Sequence, residues 1–297
     1  MNTPSHYFIG CPVWSCRDWI GTVFDKQSDP SDLLREYAKR FNTVEGNSIF
    51  YALPPLATVE RWMAESGDGF QFCPKFPKTI SHDRRLSQAE SETSEFLRIL
   101  ETLQHGDRLG TSFLQLPPSF NAHNIDTLES YLKALPEDFK YAVEPRHITW
   151  YDNGDNECQL DAMLQNLGID KVIFDSRPLF ASKSKDPDEI EAQSRKPQTP
   201  VRKIALAAHP FLRLVGSNDL DANELWIKEW APIINKWILE NKQPYVFLHC
   251  PDEAHAPYFA RRLHRQLRKL NPLLEEFPAF ASDLANEERE HEQLDLF

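Results

Sequence analysis

Residues 29–46 read Asp29-Pro30-Ser31-Asp32-Leu33-Leu34-Arg35-Glu36-Tyr37-Ala38-Lys39-Arg40-Phe41-Asn42-Thr43-Val44-Glu45-Gly46, one helix-to-strand unit in a single stretch. Asp29 can cap orphan N–H groups, and the fixed φ of Pro30 suits a first helical position. Leu34, Tyr37, Ala38 and Phe41 then share one helical face. Thr43 to Glu45 follow as a short β-type run, with Gly46 to Phe50 beyond. Further strand signals lie at Tyr7 to Gly10, Phe70 to Lys75, Ser112 to Leu116, Tyr141 to Glu144, Lys171 to Asp175, Phe211 to Val215 and Tyr245 to His249. Helical periodicity fills Leu56 to Ser66, Ser87 to Leu103, Ile125 to Leu135, Glu157 to Leu167, Asn223 to Glu240 and Pro257 to Leu270, with Pro232 expected to interrupt the sixth. Ser182 to Lys203 is polar and proline-punctuated, and reads as a long loop or partly helical insertion. Eight strand–helix alternations in roughly 270 residues match a (β/α)8 TIM-type barrel better than a doubly wound sheet, which usually has fewer strands.

The 297 residues carry a net charge of -12, and residues 273–297 hold eight acids against one base. The remaining 272 residues are therefore only mildly acidic and leave room for basic patches. That composition shift divides the chain into a barrel over 1–272 and an acidic C-terminal tail over 273–297. No apolar run is long enough to span a bilayer, and Met1 to Gly10 lacks the features of a signal peptide. A cytoplasmic protein with no membrane partner is the expectation. Five scattered cysteines do not form a disulfide framework, and Cys11 and Cys16 have no second pair nearby, so reduced thiols are expected.

In a barrel of this kind, polar residues at strand C-termini face the mouth where the chemistry lies. Glu45 and Asn47, Lys75, Gln115, Glu144 with Arg146 and His147, Asp175, Arg213 and His249 meet that criterion. His82, in the loop after the third strand, is a secondary candidate. Carboxylates gathered at a mouth can act as general acid and base, as nucleophile, or as ligands of a hard metal, while Arg and Lys favour an anionic substrate. The structural alternative is that Glu144 with Arg146, or Lys75 with Glu45, merely neutralise each other. Trp14, Trp19, Phe50, Tyr51 and Trp150 fall near strand ends, where they either stack on a sugar or base or roof the barrel.

No His-x-x-x-His, Cys-x-x-Cys, Gly-x-Ser-x-Gly, Gly-x-Gly-x-x-Gly or Gly-Lys-Ser/Thr motif occurs. A nucleotide cofactor is not indicated, and a divalent metal is possible only through the mouth carboxylates.

Gly10, Trp14 and Trp19, the run Phe41 to Pro54, Trp62, Phe72, Lys75, His82 to Leu86, Leu114 to Phe120, Val143 to Trp150, Asp175 and Leu212 to Gly216 resemble, in order, the YecE-like family, a domain of unknown function numbered 72. The resemblance covers roughly residues 7 to 265. It implies a barrel of the triosephosphate-isomerase type and supplies no activity. After the eighth strand, relatives tend to carry paired asparagines following an aromatic, whereas this chain has Phe247-Leu248-His249-Cys250-Pro251-Asp252.

Gln293, Leu294, Asp295, Leu296 and Phe297 resemble the pentapeptide by which many bacterial replication and repair proteins bind the sliding clamp of the replicative polymerase. Leu294, Leu296 and Phe297 supply apolar anchors and Gln293 an amide, following a charged stretch that suits a flexible stalk. Docking of the same apolar residues on the barrel is the alternative. The segment Pro257 to Leu270 carries Arg261, Arg262, Arg265, Arg268 and Lys269 around a face of Leu263, Leu267 and Leu270. Those five bases suit either a phosphate backbone or pairing with the acidic tail.

The expected function is hydrolysis of a phosphate ester, plausibly in nucleic acid, with recruitment to the clamp. Glu45, Glu144 and Asp175 would hold a divalent metal or activate water, His147 would transfer protons, and Lys75, Arg146 and Arg213 would neutralise developing charge. Asn47, Gln115 and His249 complete the substrate contacts. A carboxylate-dependent sugar enzyme, or a non-catalytic module for an anionic small molecule or nucleic acid, are the rivals.

Overall fold

The computed structural model describes residues 7–285. Nine strands form: β1 (Phe8–Cys11), β2 (Thr43–Gly46), β3 (Gln71–Pro74), β4 (Ser112–Gln115), β5 (Tyr141–Glu144), β6 (Asp170–Lys171), β7 (Ile173–Asp175), β8 (Phe211–Val215) and β9 (Tyr245–His249). Six pair in parallel in the order β3-β2-β1-β9-β8-β7, and three in the order β4-β5-β6. The result is a mixed α/β domain built on parallel strands, of the TIM-like kind.

The sixth strand expected from sequence is two short strands because its partner changes. Asp170 and Lys171 register with β5, Ile173 to Asp175 with β8, and the Val172 N–H between them donates to the Val143 carbonyl. At the other edge, Lys75 bridges Phe113, and the Phe76 N–H donates to the Phe113 carbonyl over 3.0 Å. The first two strands approach closely: a Cβ on Gly10 would lie 2.1 Å from the Thr43 carbonyl oxygen, so only glycine fits.

Side-chain alternation sorts the strand residues into two layers. Val44, Phe72, Leu114, Val143, Ile173, Leu212, Leu214, Val246 and Leu248 face the helices in the large core. Phe8, Cys73, Phe113, Ala142, Val172, Phe211, Tyr245 and Phe247 form a separate enclosed cluster drawn from strands of both sheets. Within it, Phe211 packs its ring centroid 4.9 Å from that of Phe247 and 5.0 Å from that of Phe113.

Two expectations need correction, and one pair of alternatives is decided. Helix Glu224–Leu239 runs through Pro232, which sits on the exposed face where water can replace the missing backbone bond. The polar crossover Ser182 to Lys203 is the partly helical insertion of the two readings, with helix Pro187–Arg195 capped by Asp186 onto the Asp188 and Glu189 N–H groups; a short helix, Arg177–Ala181, precedes it. Leu270 is exposed, so the buried face of helix Ala256–Leu270 is carried by Phe259, Leu263 and Leu267 instead.

The described part of the acidic segment is packed on the rest of the domain. Leu274 and Phe280 are buried, and the Ala281 and Ser282 N–H groups donate to the Val23 and Thr22 carbonyls. Arg261 pairs with Asp283, Arg268 with Glu276 and Arg262 with Asp221, so three of the five helix bases are neutralised. Arg265 and Lys269 remain exposed. The pentapeptide Gln293–Phe297 lies outside the described residues. Among the described residues, no helix is long and apolar enough to cross a membrane.

Phe211→Ala is expected to cost about 3–5 kcal/mol, because the enclosed cluster cannot collapse onto the void. Denaturant unfolding measures the loss.

Candidate functional site

Arg213, in the middle of β8, projects inward, and each nitrogen of its guanidinium donates to one of two carboxylates. Its Nε and Nη2 donate to Glu45 Oε1 and Oε2 over 2.8 and 2.9 Å, and its Nη1 to Glu144 Oε2 over 2.7 Å. All three side chains are buried. Glu45 also receives the Asn47 amide (2.8 Å) and has His249 Nε2 at 2.9 Å. Glu144 Oε1 accepts from Arg146, whose Nη2 donates to Gln115 Oε1 over 3.0 Å. Seven of the residues picked from sequence therefore meet: Glu45, Asn47, Gln115, Glu144, Arg146, Arg213 and His249.

Lys75 joins them in a different way. Its Nζ sits 4.0 Å from the Phe50 ring centroid, and among the described residues it makes no ion pair with Glu45 or any other carboxylate. The Glu144–Arg146 pair is made; the Lys75–Glu45 pair is not.

Two picked residues lie elsewhere. Asp175 shares the outward face of β7 with Ile173, whereas Phe174 points inward beneath Arg146 and Arg213. Its carboxylate is held by Arg177 in two bonds and by Trp230 Nε1 at 2.8 Å, within the helix layer. Strand alternation thus removes it from the mouth. His147 caps the turn Ile148–Tyr151 by accepting the Thr149 N–H, and its Nδ1 lies 2.9 Å from the Thr149 hydroxyl, so it has a local structural job instead of a place among the Arg213 partners.

Above the network opens a cavity of about 790 Å³. Phe50 and Tyr51 form part of its rim, the latter 81% exposed. Trp19 and Trp150 are buried and donate their indole N–H groups to the Glu253 and Phe120 carbonyls, and Trp14 packs edge-on against Trp62. Those three aromatics pack the domain; only Phe50 and Tyr51 reach the opening. Sequence reasoning missed several charged lining residues: the bases Lys78, Arg195 and Lys196 and the acids Asp188, Glu191 and Glu253. Lys196 ends the crossover helix, and the signal for it was the pair of bases Arg195-Lys196 in a segment read as a long loop or partly helical insertion.

Charge balance in the cavity follows from burial. Burial alone would raise the Glu45 carboxyl, but Arg213 and His249 outweigh it and hold the group well below its ordinary range. Glu144 is likewise lowered, burial being overcome by Arg146, Arg213 and Lys75. Burial, reinforced by Arg213 and Arg146, brings the Lys75 ammonium down to about 7 against the opposing pull of Glu144 and Glu45. Lys196 is lowered by burial and by Arg213. Burial and the Glu45 charge push the Glu253 carboxyl up to about 8, and its Oε2 has no hydrogen-bond partner among the described residues. His82, half-buried near Lys75, is lowered to about 4 by that burial and by the Lys75 charge, and is neutral.

A divalent cation does not fit this donor set. Each oxygen of Glu45 and Glu144 already accepts from a neighbouring side chain, and Arg146, Arg213 and Lys75 surround the pair. Among the described residues, no group of three or more His, Cys, Asp or Glu side chains is placed to hold a metal ion.

The fold and site define a TIM-like α/β protein whose strand C-termini end in a cationic cavity roofed by aromatics. A family profile described as "Protein of unknown function DUF72" matches residues 8–281, and the chain belongs to that family. It is similar to UPF0759 protein YecE of Escherichia coli K12, with 37% identity over 272 residues covering 92% of this chain and 96% of that protein. It is also similar to UPF0759 protein YunF of Bacillus subtilis 168, with 25% identity over 150 residues covering 48% and 52%. Two solved DUF72 family proteins share the fold. The one from Thermotoga maritima gives a TM-score of 0.66 at 21% identity, covering 89% of this chain and 99% of that one. The one from Enterococcus faecalis gives 0.66 at 16% identity, covering 92% and 98%.

Arg213→Met strands two buried carboxylates and is expected to cost about 3–5 kcal/mol near neutral pH. Stability owed to the lowered Glu45 and Glu144 is full above the ordinary carboxylate range and is lost as pH falls through their folded values. In the variant, protonation relieves the stranded charges. The gap between the two proteins, followed by urea unfolding against pH, therefore narrows on acidification.

Proposed function

We propose that the two sheets close into one (β/α)8 barrel, and that its mouth binds a small organic molecule bearing phosphate or a like anion. Closure is supported by the cluster shared between the sheets, by the partner change at Val172, and by the Lys75–Phe113 bridge. The anionic ligand is supported by one observation above all: Lys75 and Lys196 line the cavity with no carboxylate in ion-pair contact among the described residues. Next to them, Arg213 and Arg146 are fixed by Glu45 and Glu144 and cannot swing away. An incoming anion supplies the counter-charge the two lysines lack. Phe50 and Tyr51 offer faces against which the organic part of the ligand can pack.

This reading takes the anion-binding alternative over metal-assisted hydrolysis and over paired-carboxylate sugar chemistry. Glu45 and Glu144 share one guanidinium, so neither is free to bind a cation or to exchange a proton with substrate. Extended nucleic acid is less well served, since three of the five bases on helix Ala256–Leu270 already have acidic partners.

Sulfate tests the reading, because its charge is constant near neutrality. Binding followed by calorimetry should weaken as pH rises through about 7, where Lys75 loses its proton. Lys75→Met and Lys196→Ala should each lower affinity about tenfold, equivalent to about 1.4 kcal/mol. Undiminished binding in both variants would remove the cavity as the anion site.

Recruitment to the sliding clamp remains a separate proposal, resting on Gln293 to Phe297 alone. A titration of clamp with the full chain and with a chain lacking those five residues tests it. Binding only by the full chain is expected.

A further inference from the structure

Lys75 is an unusual amine to find in an anion site. The guanidinium groups of Arg213 and Arg146 are anchored by carboxylates and hydrogen bonds, whereas Lys75 Nζ rests on the Phe50 ring without an acidic partner among the described residues. Its side chain leaves the C-terminal end of β3, is buried along its length, and ends at the cavity. His82 stands edge-on against the same Phe50 ring, with centroids 5.1 Å apart, so the amine and a neutral imidazole share one aromatic neighbour. A phosphate site built only for charge has no need of an ammonium kept from its counter-ion; a desolvated amine beside fixed cations is the usual arrangement for a nucleophilic lysine.

We propose that Lys75 Nζ forms an imine with an aldehyde or ketone whose phosphate or carboxylate is held by Lys196 and the neighbouring guanidinium groups. This inference rests on the anion-binding reading and names the substrate class of the same cavity. The amine lone pair adds to the carbonyl carbon, and one of the two protons on the nitrogen passes to the carbonyl oxygen to give a neutral carbinolamine. That hydroxyl takes a second proton and leaves as water, while the nitrogen keeps the new double bond to carbon as a protonated imine. The neutral form of Lys75 is well populated near pH 7, and the protonated Glu253 carboxyl on the cavity wall is the acid at hand for the departing oxygen.

The test is reductive trapping on the full chain. Dihydroxyacetone phosphate, pyruvate and unphosphorylated dihydroxyacetone are each incubated with the protein and cyanoborohydride, and the modified lysines are mapped by peptide mass spectrometry. Lys75 should be labelled about tenfold or more faster than other lysines by an anionic ketone, and dihydroxyacetone should lag by a similar factor. The faster of the two anionic arms identifies phosphate or carboxylate as the recognised group. Lys75→Arg, which cannot form the imine, should abolish labelling at that position, while sulfate binding by the unsubstituted chain is the separate readout of the anion site. Adducts spread evenly over surface lysines, or none at Lys75 while sulfate still binds, would overturn imine chemistry and leave the anion site standing. Failure of sulfate binding together with labelling would overturn both readings.

Discussion

The guanidinium of Arg213 is the fixed point of this molecule. It leaves β8 and joins a carboxylate from β2 to a carboxylate from β5, so one planar group ties three separated strands together. A lysine could not replace it, because a single ammonium lacks the fork that satisfies both Glu45 oxygens while reaching a third on Glu144. The arrangement is strongly conditional. With every partner present the buried charges cancel and the hydrogen bonds are complete; with one removed, an uncompensated charge stays in the interior.

That constraint shapes what lies above it. Glu45 and Glu144 are committed to arginine, which leaves the floor of the cavity slightly deficient in negative charge once Lys75 and Lys196 are added. Burial then acts on groups that make no ion pair among the described residues, lowering the two lysines and raising Glu253. Their shifts go in the directions that bring amines and carboxyls closer together in proton affinity, the condition under which one site can hold both a neutral nucleophile and a neutral acid.

Much of this was legible in the sequence, for definable reasons. The strand runs and helical faces located the parallel strands, and selecting polar residues at strand ends found Glu45, Glu144, Arg146 and Arg213, because geometry forces such residues toward a common opening. The same selection failed at Asp175, since it ignored the alternation that sends Phe174 inward and its neighbour outward. It failed at His147 because a histidine just before a helical turn caps as readily as it catalyses. Lys196 and Glu253 were invisible for a different reason: they belong to connections whose path over the strands is set by tertiary packing. Pro232 was misjudged because its effect depends on which face of the helix is wet. The division by charge after Pro272 did not anticipate Phe280, whose burial depends on contacts distant in sequence.

The crossover that carries Lys196 is held to the domain by contacts that avoid the Arg213 network. Ser176 bonds the Pro197 carbonyl, Gln193 bonds the Leu179 carbonyl, and Arg202 binds Glu157. The floor and this wall of the cavity are thus held by separate sets of contacts. Among proteins with this architecture, exchanging that one connection would change which molecules are admitted while sparing the ionic keystone, a division of labour through which a single scaffold can diversify its ligands without renegotiating its own stability.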